Sequence, residues 1–130
     1  MKIDNSYFGG FVVSKNVIDK HQPIRYSFRE KGLYDKLNGW TIYSALDDDE
    51  YVANPSNFVI VNATTLFTIA PVFYELYEAP YGTDICWMYE KGVLTGFYDL
   101  VNNEETDIKR ILEKRINYIG YSVLEYSFVV

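Results

Sequence analysis

Large apolar side chains alternate with small or polar ones in the sequence WTIYSA, which occupies residues 40 to 45. The alternation divides the segment into two sides, with Trp40, Ile42 and Ser44 on one and Thr41, Tyr43 and Ala45 on the other. A period of two is typical of a β-strand with one buried face. Because Asn38-Gly39 just before it is a turn signal, we predict a strand that starts here and places Trp40 in the core.

Similar short segments occur on both sides of this strand, and they are predicted as strands at residues 11–13, 24–29, 58–62, 84–90, 93–100 and 121–130. In the segment 24–29, the alternation predicts that Ile24, Tyr26 and Phe28 share a buried face. The segment 58–62, whose first four residues are all apolar, is predicted to be a buried or central strand. Trp87 lies in the alternating segment 84–90 and is predicted to be buried like Trp40.

Helices are predicted from residue 66, capped by Thr64 or Thr65, at 72–78 after Pro71, and from 107 to about 118, capped by Thr106. Strands and helices do not alternate regularly, which indicates an α+β fold. We predict a mostly antiparallel sheet of about six or seven short strands with two or three helices packed on it. A chain of 130 residues has the size of one domain, so we expect a single globular domain over residues 1–130.

The composition argues against several classes of protein. The single cysteine, Cys86, permits no internal disulfide, which is typical of a reducing compartment. The first ten residues contain no apolar region of the kind found in signal peptides, and no segment approaches the roughly 20 apolar residues that span a membrane. We therefore expect a cytoplasmic protein that does not associate with membranes.

Acidic residues are concentrated in the middle of the chain. Residues 37 to 107 contain twelve acids and one base, whereas the whole chain has a net charge of −6. Such a negative field repels phosphate backbones, so we expect no nucleic-acid partner. It favours a basic protein and accelerates the encounter with it.

The chain lacks the residue patterns on which most catalytic sites depend. Its one histidine, His21, lies in a polar segment without a recognisable partner, and Cys86 lies in an apolar run where a thiol is inert. No phosphate-binding glycine loop and no set of zinc ligands is present in the sequence. We therefore predict a protein that is not an enzyme, with no catalytic residue, metal or cofactor.

The most unusual feature is a run of four adjacent acids, Asp47, Asp48, Asp49 and Glu50, followed by Tyr51. The run is interpreted as a solvated loop or the start of a helical turn, and also as a patch that binds a basic protein, with Tyr43 and Tyr51 adding contact area. A calcium loop and a general acid–base pair are alternatives, although the run lacks the spacing of either. The partner-binding candidates are accordingly Asp47, Asp48, Asp49, Glu50, Tyr51 and Tyr43.

A longer ordering of short motifs surrounds this run. It comprises GGFVVSK at 9–15, GWTIYS at 39–44, DDEY at 48–51, NPSN at 54–57, and Pro71 before a helix that ends in APYGT at 79–83. Over residues 9–83 the chain resembles a bacterial family of immunity proteins of polymorphic toxin systems, the immunity protein 33 type. The remainder, residues 84–130, is interpreted as a lineage-specific C-terminal extension.

The resemblance implies a cytoplasmic, antitoxin-like protein that neutralises a cognate toxin by direct binding, without catalysis. Many toxins that attack nucleic acid are basic, and an acidic inhibitor imitates the charge of their substrate. The alternative is a small-molecule- or peptide-binding module of a cellular pathway, which requires a concave aromatic pocket. A third hypothesis, an enzyme that uses carboxylates alone, requires two acids in a cleft with pKa values displaced in opposite directions.

Overall fold

One β-sheet dominates the computed structural model, which describes residues 2–32 and 34–114. Within these residues the strands are β1 (Gly10–Ser14), β2 (Ile24–Arg29), β3 (Leu37–Ser44), β4 (Phe58–Val61), β5 (Asp84–Glu90), β6 (Val93–Asp99) and β7 (Glu104–Thr106). Their order across the sheet is β4-β1-β3-β2-β5-β6-β7. Only β1 and β3 pair in parallel, and the other neighbours are antiparallel. The predicted α+β class with a mostly antiparallel sheet is confirmed.

Short helices connect these strands: α1 (Asn5–Phe8), α2 (Lys15–Ile18), α3 (Asp49–Val52), α4 (Ala63–Ile69), α5 (Phe73–Leu76) and α6, described over residues 108–114. A 3-10 turn, Pro55–Asn57, precedes β4. The break between α4 and α5 falls at Pro71, as predicted, since proline cannot supply the N–H that a continuous helix needs.

The predicted helix caps were wrong by one or more residues. Asn62 caps α4 by accepting a hydrogen bond from the Thr65 N–H, and Asp107 caps α6 by accepting one from the Arg110 N–H. Asn62 and Asp107 each have a short side chain whose oxygen can accept a hydrogen bond from the first turn of the helix. The predicted threonines therefore do not act as the caps. Thr106 instead ends β7 and is buried.

The core lies between the helices and one face of the sheet. Trp40 and Trp87 are 0% and 2% exposed, which confirms their predicted burial. The ring of Phe73 from α5 lies between them, with ring centres 5.1 Å from Trp40 and 5.3 Å from Trp87. The indole N–H of Trp40 donates a hydrogen bond to Tyr77 O at 3.0 Å, and that of Trp87 donates one to Ser27 Oγ at 2.5 Å. The helices thus pack on the sheet through a layer of aromatic side chains.

A β-bulge in β2 decides which of its side chains face this core. The register between β2 and β3 shifts between Ile24 and Tyr26, so the alternation reverses after Ile24. Ile24 and Ser27 are buried, whereas Tyr26 is 37% exposed and Phe28 is half-buried on the opposite face. The prediction that Ile24, Tyr26 and Phe28 share one buried face was therefore wrong for Tyr26 and Phe28.

The position of β4 also differs from the prediction. This strand pairs with β1 at an edge of the described sheet, and Ile60 is 62% exposed. The interpretation as a buried or central strand was wrong, because an unbroken apolar run contains no information about which neighbours a strand acquires. The predicted strand at 121–130 and the predicted helix beyond residue 114 lie outside the described residues.

Candidate functional site

The first acid of the run is held by hydrogen bonds within the fold. Asp47 Oδ1 accepts hydrogen bonds from Ser44 Oγ at 2.6 Å and Asn16 Nδ2 at 2.8 Å, and its Oδ2 accepts one from the Ser44 N–H at 2.7 Å. Burial by itself raises the pKa of Asp47, but these donors outweigh burial and lower its pKa below the ordinary value. Contrary to the sequence-based expectation of a fully solvated run, Asp47 ties the end of β3 to α2.

The next three acids form the start of α3, in agreement with one of the predicted alternatives. Asp48 accepts a hydrogen bond from the Tyr51 N–H at 2.8 Å and so caps the helix. Asp49 and Glu50 lie in its first turn, where the helix dipole favours negative charge. Asp48, Asp49 and Glu50 are all exposed. The carboxylates of Asp49 and Glu50 form no ion pair or hydrogen bond with other described residues.

The two candidate tyrosines have different surroundings. The Tyr51 hydroxyl donates to Asn57 O at 3.2 Å and accepts from Ser14 Oγ at 3.3 Å, so this residue fastens α3 to the sheet. The Tyr43 ring lies on the sheet face opposite the core, with its centre 5.5 Å from the ring centres of both Phe28 and Phe58. The Tyr51 ring contacts the edge of the same aromatic cluster, with its centre 6.1 Å from that of Phe58, whereas Tyr43 lies between Phe28 and Phe58 on the sheet.

That surface, which we term the open face, consists of two rows of cross-strand neighbours. The first row runs from β4 to β5 through Ile60, Val12, Thr41, Phe28 and Asp84. The second runs from β3 to β7 through Tyr43, Tyr26, Cys86, Tyr98 and Glu105. In the part of the chain that the structure describes, α3 reaches one corner of this face, and the other helices lie on the core side. The ten side chains include four aromatic rings, two acids and no base.

A groove of about 480 Å³ crosses the first row. It is lined by Val12, Phe28, Glu30, Thr41, Tyr43, Val52, Pro55, Phe58, Val59 and Ile60. Aliphatic and aromatic residues form most of this lining, and Glu30 supplies the one carboxylate found there within residues 2–32 and 34–114. The groove therefore combines a largely apolar surface with a local negative charge.

The backbone of Glu30 is fixed by a close approach to Gly39. The Glu30 N–H donates to Gly39 O at 3.0 Å, and Gly39 has a φ of +92°. A Cβ at this position would collide with the Glu30 carbonyl oxygen, so both the conformation and the contact require glycine. The Glu30 side chain is exposed and has no ion-pair or hydrogen-bond partner among the described residues.

The electrostatic environment of the groove is reflected in Tyr43. Burial and then the charges of Glu30, Asp47 and Asp84 raise the pKa of its hydroxyl. Because all three carboxylates act on the same atom, the potential at this end of the open face is negative.

A second cavity, of about 230 Å³, has Asp84 and Asp99 in its lining. Burial and then the charge of Asp99 raise the pKa of Asp84. Burial also raises the pKa of Asp99, but an ion pair with Lys114 and hydrogen bonds from Asn102 and the Val101 N–H outweigh it and lower the pKa. The oppositely displaced pKa values match the requirement of carboxylate catalysis. However, Asp99 accepts three hydrogen bonds from Val101 and Asn102 in the turn between β6 and β7 and a fourth from Lys114 of α6, so donors of its own chain occupy both of its oxygens.

The remaining candidate groups do not form a reactive cluster. His21 is exposed and Cys86 is buried, as predicted. Within residues 2–32 and 34–114, no group of three histidine, cysteine or acidic side chains is arranged to hold a metal ion. None of the helices described in these ranges has the length and apolar character that crossing a membrane requires.

The sequence interpretation identified Tyr43 but missed Glu30, Phe28 and the rest of the open face. The alternation in β2 contained the required signal, since it places Tyr26 and Phe28 together on one side. Which side faces the core depends on the bulge, and the short turn signals of the sequence do not indicate it. Glu30 was overlooked because a single carboxylate after a strand is an ordinary surface residue by sequence.

The described chain is thus an α+β protein in which one sheet has helices on one face and an aromatic, acidic surface on the other. The sequence profile of the Immunity protein Imm33 domain family matches residues 11–98, more than half of the chain. The chain belongs to this family of immunity proteins. The match includes β5 and most of β6, beyond the residues 9–83 that the motifs cover. Comparison with curated proteins and with solved structures found no match.

Proposed function

We propose that this protein neutralises a cognate bacterial toxin by direct, stoichiometric binding in the cytoplasm, and that it does so without catalysis. Membership of the Imm33 family is the observation that carries the proposal, because immunity-type proteins act on a partner toxin. The toxin is proposed to be basic, since the segment 37–107 contains twelve acids and one base. The whole chain, residues 1–130, is proposed to act as a single domain.

The arrangement of the acids supports binding rather than chemistry. Asp47 accepts three hydrogen bonds and Asp99 accepts four from donors of the chain itself, so these donors occupy most or all of the carboxylate lone pairs that a substrate proton would need. Asp48, Asp49 and Glu50 are exposed, and exposed carboxylates lack the desolvation that catalytic acids and bases need. Exposed charges do, however, steer a partner of opposite charge.

Of the partner-binding candidates, Asp48, Asp49, Glu50 and Tyr43 are proposed to contact the toxin. Asp47 and Tyr51 are proposed to hold α3 in position. Asp47 accepts hydrogen bonds from Ser44 and Asn16, and the Tyr51 hydroxyl donates one to Asn57 O. The contact surface then combines an exposed acidic helix start with an adjacent aromatic groove, and such a combination suits a basic protein surface.

The proposal is tested with the protein encoded immediately upstream of this gene as the candidate toxin, expressed as its C-terminal domain. Growth of a bacterium that expresses the toxin domain should be restored by this chain, and size-exclusion chromatography with light scattering should show a one-to-one complex. Titration of purified toxin should reach full inhibition at one chain per toxin. Inhibition at a small fraction of that ratio would indicate a catalytic mode of action, and no rescue and no complex would refute the proposed function.

The aromatic groove also favours the alternative of a peptide-binding module, because its lining contains Phe28, Tyr43 and Phe58. The two functions differ in what the chain recognises. A module of a cellular pathway would bind a short peptide with the full affinity of its parent protein, whereas an immunity protein requires the folded toxin domain. Comparing the toxin domain with its overlapping peptides in one binding assay separates them.

A further inference from the structure

We propose that the groove of the open face is the docking site for the partner, and that it accepts an arginine or lysine side chain from the partner's surface. The inference rests on the proposed function for the identity of the partner as a toxin. The chemistry of the groove is argued from its own lining residues and is tested separately below.

The shape of the groove suits a long side chain with an apolar stem. Phe28, Tyr43 and Phe58 pack as neighbours, with ring-centre distances of 5.5 Å from Tyr43 to each of the others. Val12 on β1 and Thr41 on β3 are cross-strand neighbours and lie in the same row as Phe28. The methylene stem of arginine or lysine packs on such a surface, and the cationic end is attracted to aromatic faces.

The charge around the groove selects a cation over an anion. The exposed carboxylate of Glu30 lies in the lining without a partner among the described residues, and Asp49 and Glu50 lie on the helix that flanks the groove through Val52. Among the described residues, no lysine or arginine is part of the lining. The raised pKa of the Tyr43 hydroxyl agrees with this negative potential. An acidic partner would therefore be repelled, and a purely apolar one would leave Glu30 without a compensating charge.

The same charges argue against a second copy of this chain as the occupant. A symmetric dimer through the open face would place the same surface of both subunits together. Such an interface would contain Glu30, Asp84 and Glu105 of both copies, and the ten side chains of the two rows include no lysine or arginine to pair with them. Like charges that are brought together lower affinity, so the groove fits a foreign basic surface better than its own.

The first experiment compares groove variants with charge-matched controls on the core side of the sheet. Thr41→Lys and Glu30→Lys place a positive charge in the groove, whereas Thr68→Lys and Glu75→Lys make the same changes at exposed positions of α4 and α5. With the toxin domain that the chain neutralises, each groove variant should raise the Kd at least about tenfold, or 1.4 kcal/mol. The controls should stay within about twofold of wild type.

Melting temperatures accompany these measurements, and Glu30→Gln provides a second variant that keeps the size of the side chain. It should weaken binding in the same direction as Glu30→Lys, by a smaller factor. If wild type inhibits the toxin and the folded groove variants bind as tightly as wild type, the docking site is overturned while the proposed function stands.

The second experiment requires no toxin. The amide signals of the chain are followed by NMR during titration with acetyl-Arg-Leu-Arg-amide, and acetyl-Glu-Leu-Glu-amide serves as the matched probe. The arginine peptide should shift the amides of Val12, Thr41 and Val59 most, and these shifts should shrink in Glu30→Gln. Equal shifts at Glu104 and at the groove would overturn the inference, because they would indicate general attraction to acids.

These outcomes separate the two proposals. If the arginine peptide binds the groove and the chain fails to inhibit the toxin, the proposed function fails and the cation-binding groove stands. If light scattering shows a dimer of this chain that Thr41→Lys dissociates, the second copy is the occupant and the inference is overturned.

Discussion

The Asp47 carboxylate accepts hydrogen bonds from both the hydroxyl and the backbone N–H of Ser44, at 2.6 and 2.7 Å. This closed arrangement at the end of β3 separates Asp47 from the exposed acids that follow it. A run of four adjacent acids is therefore divided in the structure into one partly buried residue, Asp47, which joins β3 to α2, and three exposed residues, of which Asp48 also caps α3.

The division predicts different effects on stability for neighbouring aspartates. Asp47→Ala leaves the Ser44 and Asn16 donors without their acceptor and should lower the free energy of unfolding by about 1–3 kcal/mol. Asp49→Ala is the matched control and should change it by no more than about 0.5 kcal/mol. Urea unfolding at neutral pH measures both. Equal effects of the two substitutions would contradict the structural role of Asp47.

The lowered pKa of Asp47 predicts a dependence of stability on pH. A depressed folded-state pKa contributes stability that is present above the unfolded-state value, about 3.9, and is lost as the pH falls through the folded-state pKa. The difference in unfolding free energy between wild type and Asp47→Asn should therefore be largest near neutral pH and shrink below about pH 4. Asp99, whose pKa is also lowered, is unchanged in both proteins and cancels in the comparison. A difference that stays constant from pH 7 to pH 2.5 would show that the Asp47 charge contributes nothing.

The raised pKa of Asp84 predicts the opposite dependence of stability on pH. Burial and the charge of Asp99 raise its pKa, so its contribution to stability is present below the unfolded-state value and is lost as the pH rises through the folded-state pKa. Asp84→Asn should therefore gain stability relative to wild type as the pH rises from about 3 to 7. The exposed residue Asp35 gives the control Asp35→Asn, which should show no such gain. Thermal melts of wild type, Asp84→Asn and Asp35→Asn across this pH range measure these differences in stability.

The aromatic layer of the core predicts large losses of stability. Trp40→Ala and Trp87→Ala should each lower the free energy of unfolding by about 3–5 kcal/mol, because both indoles are enclosed and hydrogen-bonded. Tyr34→Ala removes a ring that is 70% exposed and should have little effect. Native tryptophan fluorescence should be blue-shifted relative to free indole in water. An emission maximum at the free-indole position would contradict the burial of both side chains.

The exposed acids predict an effect on association kinetics rather than on stability. The double reversal of Asp49 and Glu50 to lysine should lower the melting temperature only slightly, because it places positive charge in the first turn of the four-residue helix α3, and it should slow association with the toxin domain. The wild-type rate should fall with added salt more steeply than that of the variant, since salt screens the steering charges. Asp47 is excluded from this reversal because its loss would alter the fold. If the variant associates as fast as wild type at low salt, α3 takes no part in steering.

Particular residues show how far the sequence determines this fold. The alternation at residues 40–45 correctly placed Trp40 and Ile42 in the core, and the predicted strands 84–90 and 93–100 are observed as β5 and β6, paired around a tight turn at Lys91-Gly92. These signals are local, because a strand period and a turn conformation depend on adjacent residues. The candidate surface was predicted in part: Tyr43 and the exposed acids were identified, and Glu30 and Phe28 were missed.

The sequence by itself thus determined the α+β class, the buried tryptophans, the acidic character of the middle of the chain, and the motifs that indicate the immunity protein 33 family. The tertiary structure alone decided that Phe28 joins Tyr43 on an open face, that β4 lies at a sheet edge, and that Asp47 is held by Asn16, which lies 31 residues earlier. The physical reason is the distance along the chain between the residues that determine each feature. Periodicity and capping arise from neighbours along the chain, whereas a bulge, a strand order and a hydrogen bond between distant residues exist only after the sheet has paired.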